Sequence, residues 1–533
     1  MRKIRYGTER ASRPPRSTPA TESPRPGFAP VAQPSTPIVH VARATGAPRR
    51  AAVGKGGSMS RVRLLAVCAG CGLEAYDWGA YPLLLSYFGP GFFGADVQRS
   101  LIYGFAVFAA GFLTRPLGGL VLGRYADSRG RKPAMRLCLA GAGVAALGMA
   151  LTPTTASIGP AAPLLVLGWR ALLGFSYGGE APLGNSYIYE TTPPERRGAT
   201  GSLLCAAIGI GSVCARLLVL ALIAAVGSDR VADGYWRVPF LVGAVASFVF
   251  AALRGGLAES AEFEGHRREP SLSWAQARRR LRTPMLAVAG VTIGSTSASY
   301  LWSALPPAYG ISVLGLNDTA VLCAVTISTL LGNAVLPMVG RLGDRLGCRR
   351  VMGVATVAMA VAMIPLRAAL EHGGVTAFWV VVPVAGMMNA AAVALLPAVL
   401  AGLVPGRYRV TAQALPYTVT VTVFGGTVPM LDRLTAAHPV LFGCYLVLLL
   451  TITAATLRWA EGHPDLLAEV ALAVEDSRSV EPEQPRRQIA RDHAPRRQYH
   501  DAVPVDAGIQ GLIERLGQRA RGNQPRHDAQ RAG

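Results

Sequence analysis

Apolar runs of about 20 residues recur along this chain, and runs of that length have few destinations. At 1.5 Å per residue, a 20-residue helix crosses the roughly 30 Å hydrocarbon core of a bilayer. The composition points the same way. Of 533 residues, 51% are hydrophobic and 16% charged, whereas soluble domains carry about 25% charged residues. Mean hydropathy is +0.33. The expected fold class is an all-α polytopic membrane protein. The formal net charge of +22 does not make it a nucleic-acid binder. The basic residues lie in an N-terminal tail and in alternate loops, with no basic stripe interleaved with aromatics. That is the pattern of loops retained on the cytoplasmic side, with attraction to anionic lipid as a secondary effect.

Residues 1–58 are rich in Pro, Arg, Ala, Ser and Thr, lack an apolar run, and are expected to be disordered. They lack the apolar centre of a secretory signal. Met59, just ahead of the first run, is a candidate translation start. Helices are expected near 62–87, 100–123, 134–151, 164–189 and 199–226. A sixth follows Tyr235-Trp-Arg-Val-Pro239 and ends near Leu257. Six more are expected near 284–308, 318–340, 351–370, 376–403, 410–431 and 439–458. The division is then a six-helix bundle at 59–257, a cytoplasmic linker at 258–283, a second bundle at 284–459 and a polar tail at 460–533. Within the tail, Asp465–Val474 and Ile509–Leu516 have amphipathic spacing. Charged and nearly neutral loops alternate, which places both termini in the cytoplasm.

Charges inside membrane helices cost a few kcal/mol or more, so each is a functional candidate by default. Glu74 and Asp77, three apart on the first helix, share a face. A carboxyl group that exchanges a proton near neutral pH is what proton-coupled transport needs. The alternative is a structural pair neutralised by Arg115 or Arg170. Arg170 and Glu180 lie ten residues apart on the fourth helix; the guanidinium of Arg170 suits a carboxylate, from a solute or from Asp77. Glycines at 174 and 178 form a small-residue packing face. Arg216, in the fifth helix, either points into a cavity or snorkels to an interface. In the second half the polar candidates include Ser295, Ser297, Tyr300, Trp302, Asn389, Gln413 and Tyr417. Cys68-x-x-Cys71 reads as two small helix residues one turn apart, because no second Cys or His pair accompanies it. No metal-ligand cluster or catalytic constellation stands out. Gly54-Lys55-Gly56 lacks the first glycine and the hydroxyl of a phosphate-binding loop, so neither ATP nor another cofactor is expected.

One stretch organises the rest. Arg115 to Arg136 ends an apolar run, packs Arg124, Arg129, Arg131, Lys132 and Arg136 around Asp127, and gives way to a second run. Its core, Gly123-Arg-Tyr-Ala-Asp127-Ser-Arg-Gly-Arg131-Lys, resembles the loop 2–3 motif of the major facilitator superfamily. A degenerate copy, Gly340-Arg-Leu-Gly-Asp344-Arg345-Leu-Gly347-Cys-Arg-Arg350, recurs about 217 residues later. Two copies at matching places make an internal duplication, as in many secondary transporters. Asp127 is placed to meet a helix end or Arg131, and such contacts would lock one transport state.

The resemblance extends to the metabolite:proton symporter family. It is carried by Gly72-Leu-Glu74-Ala-Tyr-Asp77-Trp, Arg115-Pro-Leu-Gly-Gly, Arg170-Ala-Leu-Leu-Gly-Phe-Ser-Tyr-Gly-Gly-Glu180 and Pro194-Glu-Arg-Arg-Gly198. Trp236-Arg-Val-Pro-Phe-Leu-Val-Gly243 and Ala258-Glu-Ser-Ala-Glu-Phe-Glu264 complete the set. It covers about 60–460 and implies twelve helices in two six-helix bundles, an inner-membrane symporter, and a small organic solute such as a dicarboxylate, citrate, proline or betaine. It marks Glu74, Asp77, Arg115, Arg170 and Glu180 as the polar set, and Asp127 with Arg131 as a gate that Gly123, Asp344 and Arg345 extend. Two departures stand out: Pro416-Tyr417-Thr418 replaces the family's usual Tyr-Asn, and Arg216 stands where an uncharged residue is usual. The expected function is proton-coupled import of a small carboxylate or zwitterion by a monomer in the bilayer, without ATP. The rivals are proton-antiport efflux and a non-transporting membrane sensor or scaffold.

Overall fold

A computed structural model describes residues 61–94, 96–266, 274–435 and 438–463. The expectations for Met59, for the tails at 1–58 and 460–533, and for the two amphipathic tail segments fall wholly or almost wholly outside them. All regular structure among the described residues is helical. The first part comprises α1 (Arg61–Phe93), α2 (Val97–Arg129), α3 (Arg131–Leu151), α4 (Ala161–Tyr177), α5 (Glu180–Thr191), α6 (Arg197–Val226) and α7 (Arg237–Leu253). A short α8 (Ala261–His266) precedes α9 (Trp274–Ser312), α10 (Asp318–Leu346), α11 (Cys348–His372), α12 (Gly374–Val393) and α13 (Leu396–Gly402). The last helices are α14 (Arg409–Thr420), α15 (Val428–Leu434) and α16 (Pro439–Gly462). Among the described residues, nine helical stretches are long and apolar enough to cross a membrane. Large apolar side chains stand on their outer faces, with Val361 73% and Leu113 71% exposed. Such patches suit lipid rather than water.

Several expected boundaries move, each for a local reason. The first helix continues six residues past its expected end at Tyr87, because Phe88 and Phe92 bury their rings against Trp236. The second begins where Asp96 accepts hydrogen bonds from the amides of Gln98 and Arg99. The expected polar loop around Asp127 shrinks to one residue. Asp127, Ser128 and Arg129 are helical, and Gly130, at φ 117°, turns the chain straight into α3. Gly347, at φ 96°, does the same between α10 and α11. The fourth expected helix breaks into α4 and α5 at Gly178-Gly179, and the tenth into α12 and α13 at Ala394-Leu395. The basic cluster from Arg278 to Arg282, expected in a linker, belongs to α9.

Glycines set the packing by letting backbones touch. A Cβ on Gly211 of α6 would run into the Gly72 carbonyl of α1. One on Gly174 would meet the Gly111 carbonyl, and one on Gly178 the Arg115 carbonyl. So α1 lies on α6, and α2 on α4; α3 packs on α7. In the second half α16 packs on α9 and α11, and α10 on α12. Two seams join the halves: α6 against α10, and α2 against α14.

Candidate functional site

Glu74 of α1 forms an ion pair with Arg115 of α2, both buried. The guanidinium of Arg115 lies 5.2 Å from the Trp78 ring centroid and 5.7 Å from that of Phe112. Its Nε has no hydrogen-bond partner. From the second half, Tyr300 presents its ring to Phe112 at 6.0 Å, and Thr422 Oγ1 donates to the Phe112 carbonyl at 2.9 Å. Tyr300 and Tyr417 are both within electrostatic reach of Arg115. This pair therefore sits beside the α2–α14 seam.

Asp77 goes elsewhere. Tyr177 Oη of α4 donates to its Oδ2 at 2.5 Å, while Oδ1 has no partner. Arg170 stacks over Tyr81 at 4.4 Å, Trp78 at 4.7 Å and Phe108 at 5.2 Å. Its Nε and Nη2 are also unpartnered. Asp77 and Arg170 make no ion pair within 4 Å, yet both line one small cavity with Trp169, Leu173 and Phe240. It has room for about one water molecule. A buried carboxylate and guanidinium with spare hydrogen-bonding atoms around such a space form a site where a water or a proton can join them. The expected shared face of Glu74 and Asp77 thus resolves into two separate pairings.

The two motif copies close one end of the molecule. Asp127 accepts from the Thr411 amide at 2.8 Å and the Val410 amide at 3.3 Å, capping α14 of the other half. Asp344 accepts from the Gly198 amide at 2.6 Å and the Ala199 amide at 3.0 Å, capping α6. Gly123 makes room for the first contact, since its Cβ would lie 3.1 Å from the Thr411 Cα. Arg131 lies 3.3 Å from Asp127 and 3.0 Å from Glu190. Glu190 is also 2.9 Å from Arg409, which reaches Glu262 of α8 at 2.9 Å. Burial pushes the Glu262 carboxyl up, but the Arg409 guanidinium beside it outweighs that and holds it below the usual glutamate range. Arg345, expected in the gate, is instead exposed. Arg349 takes the inward place, donating to the carbonyls of Ala460 and Gly402.

The remaining candidates scatter. Glu180 is buried against Arg254, with contacts of 2.5 and 3.0 Å. Arg254 also donates to the carbonyls of Ala66, Val67 and Met135, so this group is an internal staple. Arg216 binds Thr326 and Thr329. Trp302 is buried in the core of the second half, and Asn389 accepts from Ser299 Oγ at 3.3 Å. Asn185 Nδ2 donates to Gln413 Oε1 at 2.9 Å across the halves. Cys68 and Cys71 are buried free thiols. Sequence reasoning passed over Tyr177, Glu190, Arg254 and Glu262. The one signal available for Glu190 and Arg254 was a charge near a helix end, where the default expectation is a solvated side chain.

A model of the Major Facilitator Superfamily matches residues 64–429. The chain belongs to the major facilitator superfamily. The citrate-proton symporter of Klebsiella pneumoniae is 31% identical over 69% of this chain and 84% of its own length. The ectoine/proline transporter ProP of Corynebacterium glutamicum is 29% identical over 68% of this chain and 75% of its own length. A solved structure of the proton:xylose symporter XylE superposes with a TM-score of 0.61, covering 75% of this chain and 94% of that one. At 17% identity it shows the fold alone. This superfamily member is a multi-pass membrane transporter.

Proposed function

We propose that this transporter imports a small organic solute, a carboxylate or a zwitterion, together with a proton across the inner membrane by alternating access. The observation that carries the proposal is the Asp77 group. It sets a buried carboxyl on one hydrogen bond from Tyr177 beside Arg170 and a one-water cavity. Asp77 is the proton carrier, and Arg170 is the fixed charge whose attraction for Asp77 changes when the proton binds. Arg115, with Glu74 as its exchangeable partner, faces the solute, and Tyr300 and Tyr417, both within reach of Arg115, contribute to its pocket. Glu180 supports the bundle that holds them.

With the short α8 left out and α4–α5, α12–α13 and α14–α15 each counted as one broken rod, the helices make twelve spans in two bundles of six. The connection between the bundles runs over 258–273, ahead of α9, and the polar tails are 1–58 and 460–533. The Lys/Arg-rich motif turns support a cytoplasmic location for the end that the two motif copies close, and for both termini. The Asp127 and Asp344 caps then hold the cytoplasmic side shut, with Gly123 and Arg131 in support. The protein acts as a monomer without ATP or catalysis of a reaction.

The test is external pH in de-energised vesicles on adding organic acids, betaines and amino acids, with wild type beside Asp77→Asn. Solute-dependent alkalinisation outside, absent in the variant, is expected. Proton movement that survives in Asp77→Asn would reject Asp77 as the carrier. No movement with any solute, in folded and inserted protein, would reject symport.

A further inference from the structure

Four arginines of the first half are drawn into the bundle, Arg115, Arg170 and Arg216 within helices and Arg254 just past the end of α7, against three carboxylates (Glu74, Asp77 and Glu180). Glu74 holds Arg115, Glu180 holds Arg254, and Asp77 shares a cavity with Arg170. Arg216 is the one left over. Ten residues from the end of α6, it has no carboxylate within 4 Å among the described residues. It is held by neutral hydroxyls: Nε donates to Thr326 Oγ1 at 3.2 Å and Nη2 to Thr329 Oγ1 at 2.9 Å. Two of the five guanidinium N–H groups are thereby used and three remain, including both on Nη1.

The placement is as telling as the charge. Thr326, Thr329 and Asn333 are spaced by three and four, so they form one stripe on α10. Asn333 donates to the Ala206 carbonyl of α6, which turns that stripe toward α6. Arg216 therefore lies at the seam where the two halves meet. Its neighbour Ala215 packs on Gly79 of α1, next to Trp78, so it sits at the depth of the Arg170 group. A half-buried cation held by hydroxyls alone lacks a counter-charge, and hydroxyl dipoles offset only part of its desolvation. A carboxylate is the group whose geometry matches a guanidinium with free N–H donors.

We propose that Arg216, with Thr326 and Thr329, forms an anion subsite of the solute site, and that the transported solute is a carboxylate with net negative charge. This rests on the symporter reading and narrows it. A zwitterion brings its own cation and leaves the Arg216 charge unbalanced, whereas an anion supplies the missing charge.

The test titrates the purified full-length protein with citrate, succinate, glycine betaine and proline, following tryptophan fluorescence. The same four solutes are then offered to reconstituted vesicles. Citrate or succinate is expected to bind the wild type, with betaine and proline at least about 10-fold weaker. Arg216→Gln is expected to weaken carboxylate binding roughly 10- to 100-fold, the loss of charge-assisted hydrogen bonds. Arg216→Lys should fall between, keeping the charge and losing the fork. Carboxylate binding unchanged in Arg216→Gln overturns the subsite, as does a wild type that prefers the zwitterions or binds neither carboxylate. If Arg216→Gln does not fold, the wild-type preference and Arg216→Lys decide. Arg216-dependent carboxylate binding without any proton movement would reject symport and leave the subsite standing.

Discussion

Arg254 shows how a residue far from any solute can be indispensable. Its guanidinium is fully buried and satisfied by three backbone carbonyls and both oxygens of Glu180. Taking away one partner of such a pair strands the other charge, at a cost of about 3–5 kcal/mol, whereas replacing both with apolar groups is often near neutral. Glu180→Leu is therefore expected to lower the unfolding temperature in detergent steeply. Glu180→Leu with Arg254→Leu should recover much of the loss. A single variant as stable as wild type would show that the pair does not hold the bundle. Arg216 differs in kind: its partners are hydroxyls, so removing it strands no buried charge, and its loss should be read in binding rather than in stability.

At the scale of elements, the two motif turns act alike. In each, a glycine with positive φ reverses the chain, and an aspartate three residues earlier caps a helix of the opposite half. A lost cap costs about 0.5–2 kcal/mol, so Asp127→Ala or Asp344→Ala should lower the closed population at this end by roughly 2- to 30-fold. Spin labels on exposed Ser128 and Arg345, one in each half, would report it as a longer distance population. Turnover should change more than KM. An unchanged distance distribution in both variants would remove the caps from the gate.

At the scale of the whole molecule, α8 ties the connection between the halves into that closed end. Glu259 accepts from the backbone amides of Arg131 and Lys132, Phe263 lies under the Arg131 guanidinium at 5.1 Å, and Glu262 pairs with Arg409. The Glu262 carboxyl is held below its usual range, so its contribution is full above the ordinary glutamate value. It is lost only as pH falls through the lowered one. Mild acidification, from about pH 7 to pH 5, should leave this strap closed. Glu262→Gln at neutral pH should loosen it. The same label pair checks both, and opening of the solute-free wild type over that range would contradict the assignment.

How much was legible in advance follows from how local each cause is. Apolar runs long enough to span a bilayer, a turn that only glycine accommodates, and the repeat of Asp127 in Asp344 are properties of contiguous residues and their solvent. The helical membrane class and the duplication could therefore be read from the chain alone. The partners could not. Glu74 meets Arg115 across 41 residues, Glu180 meets Arg254 across 74, and Arg131 reaches the Gly406 carbonyl across 275. Each of these meetings depends on how closely two helices approach and at what rotation, which the backbone contacts at Gly72, Gly174 and Gly178 decide. A spacing of three put Glu74 and Asp77 on one face of α1. Only the positions of α2 and α4 sent one to Arg115 and the other to Tyr177, because a side chain's partner is chosen by the neighbouring helix rather than by its own.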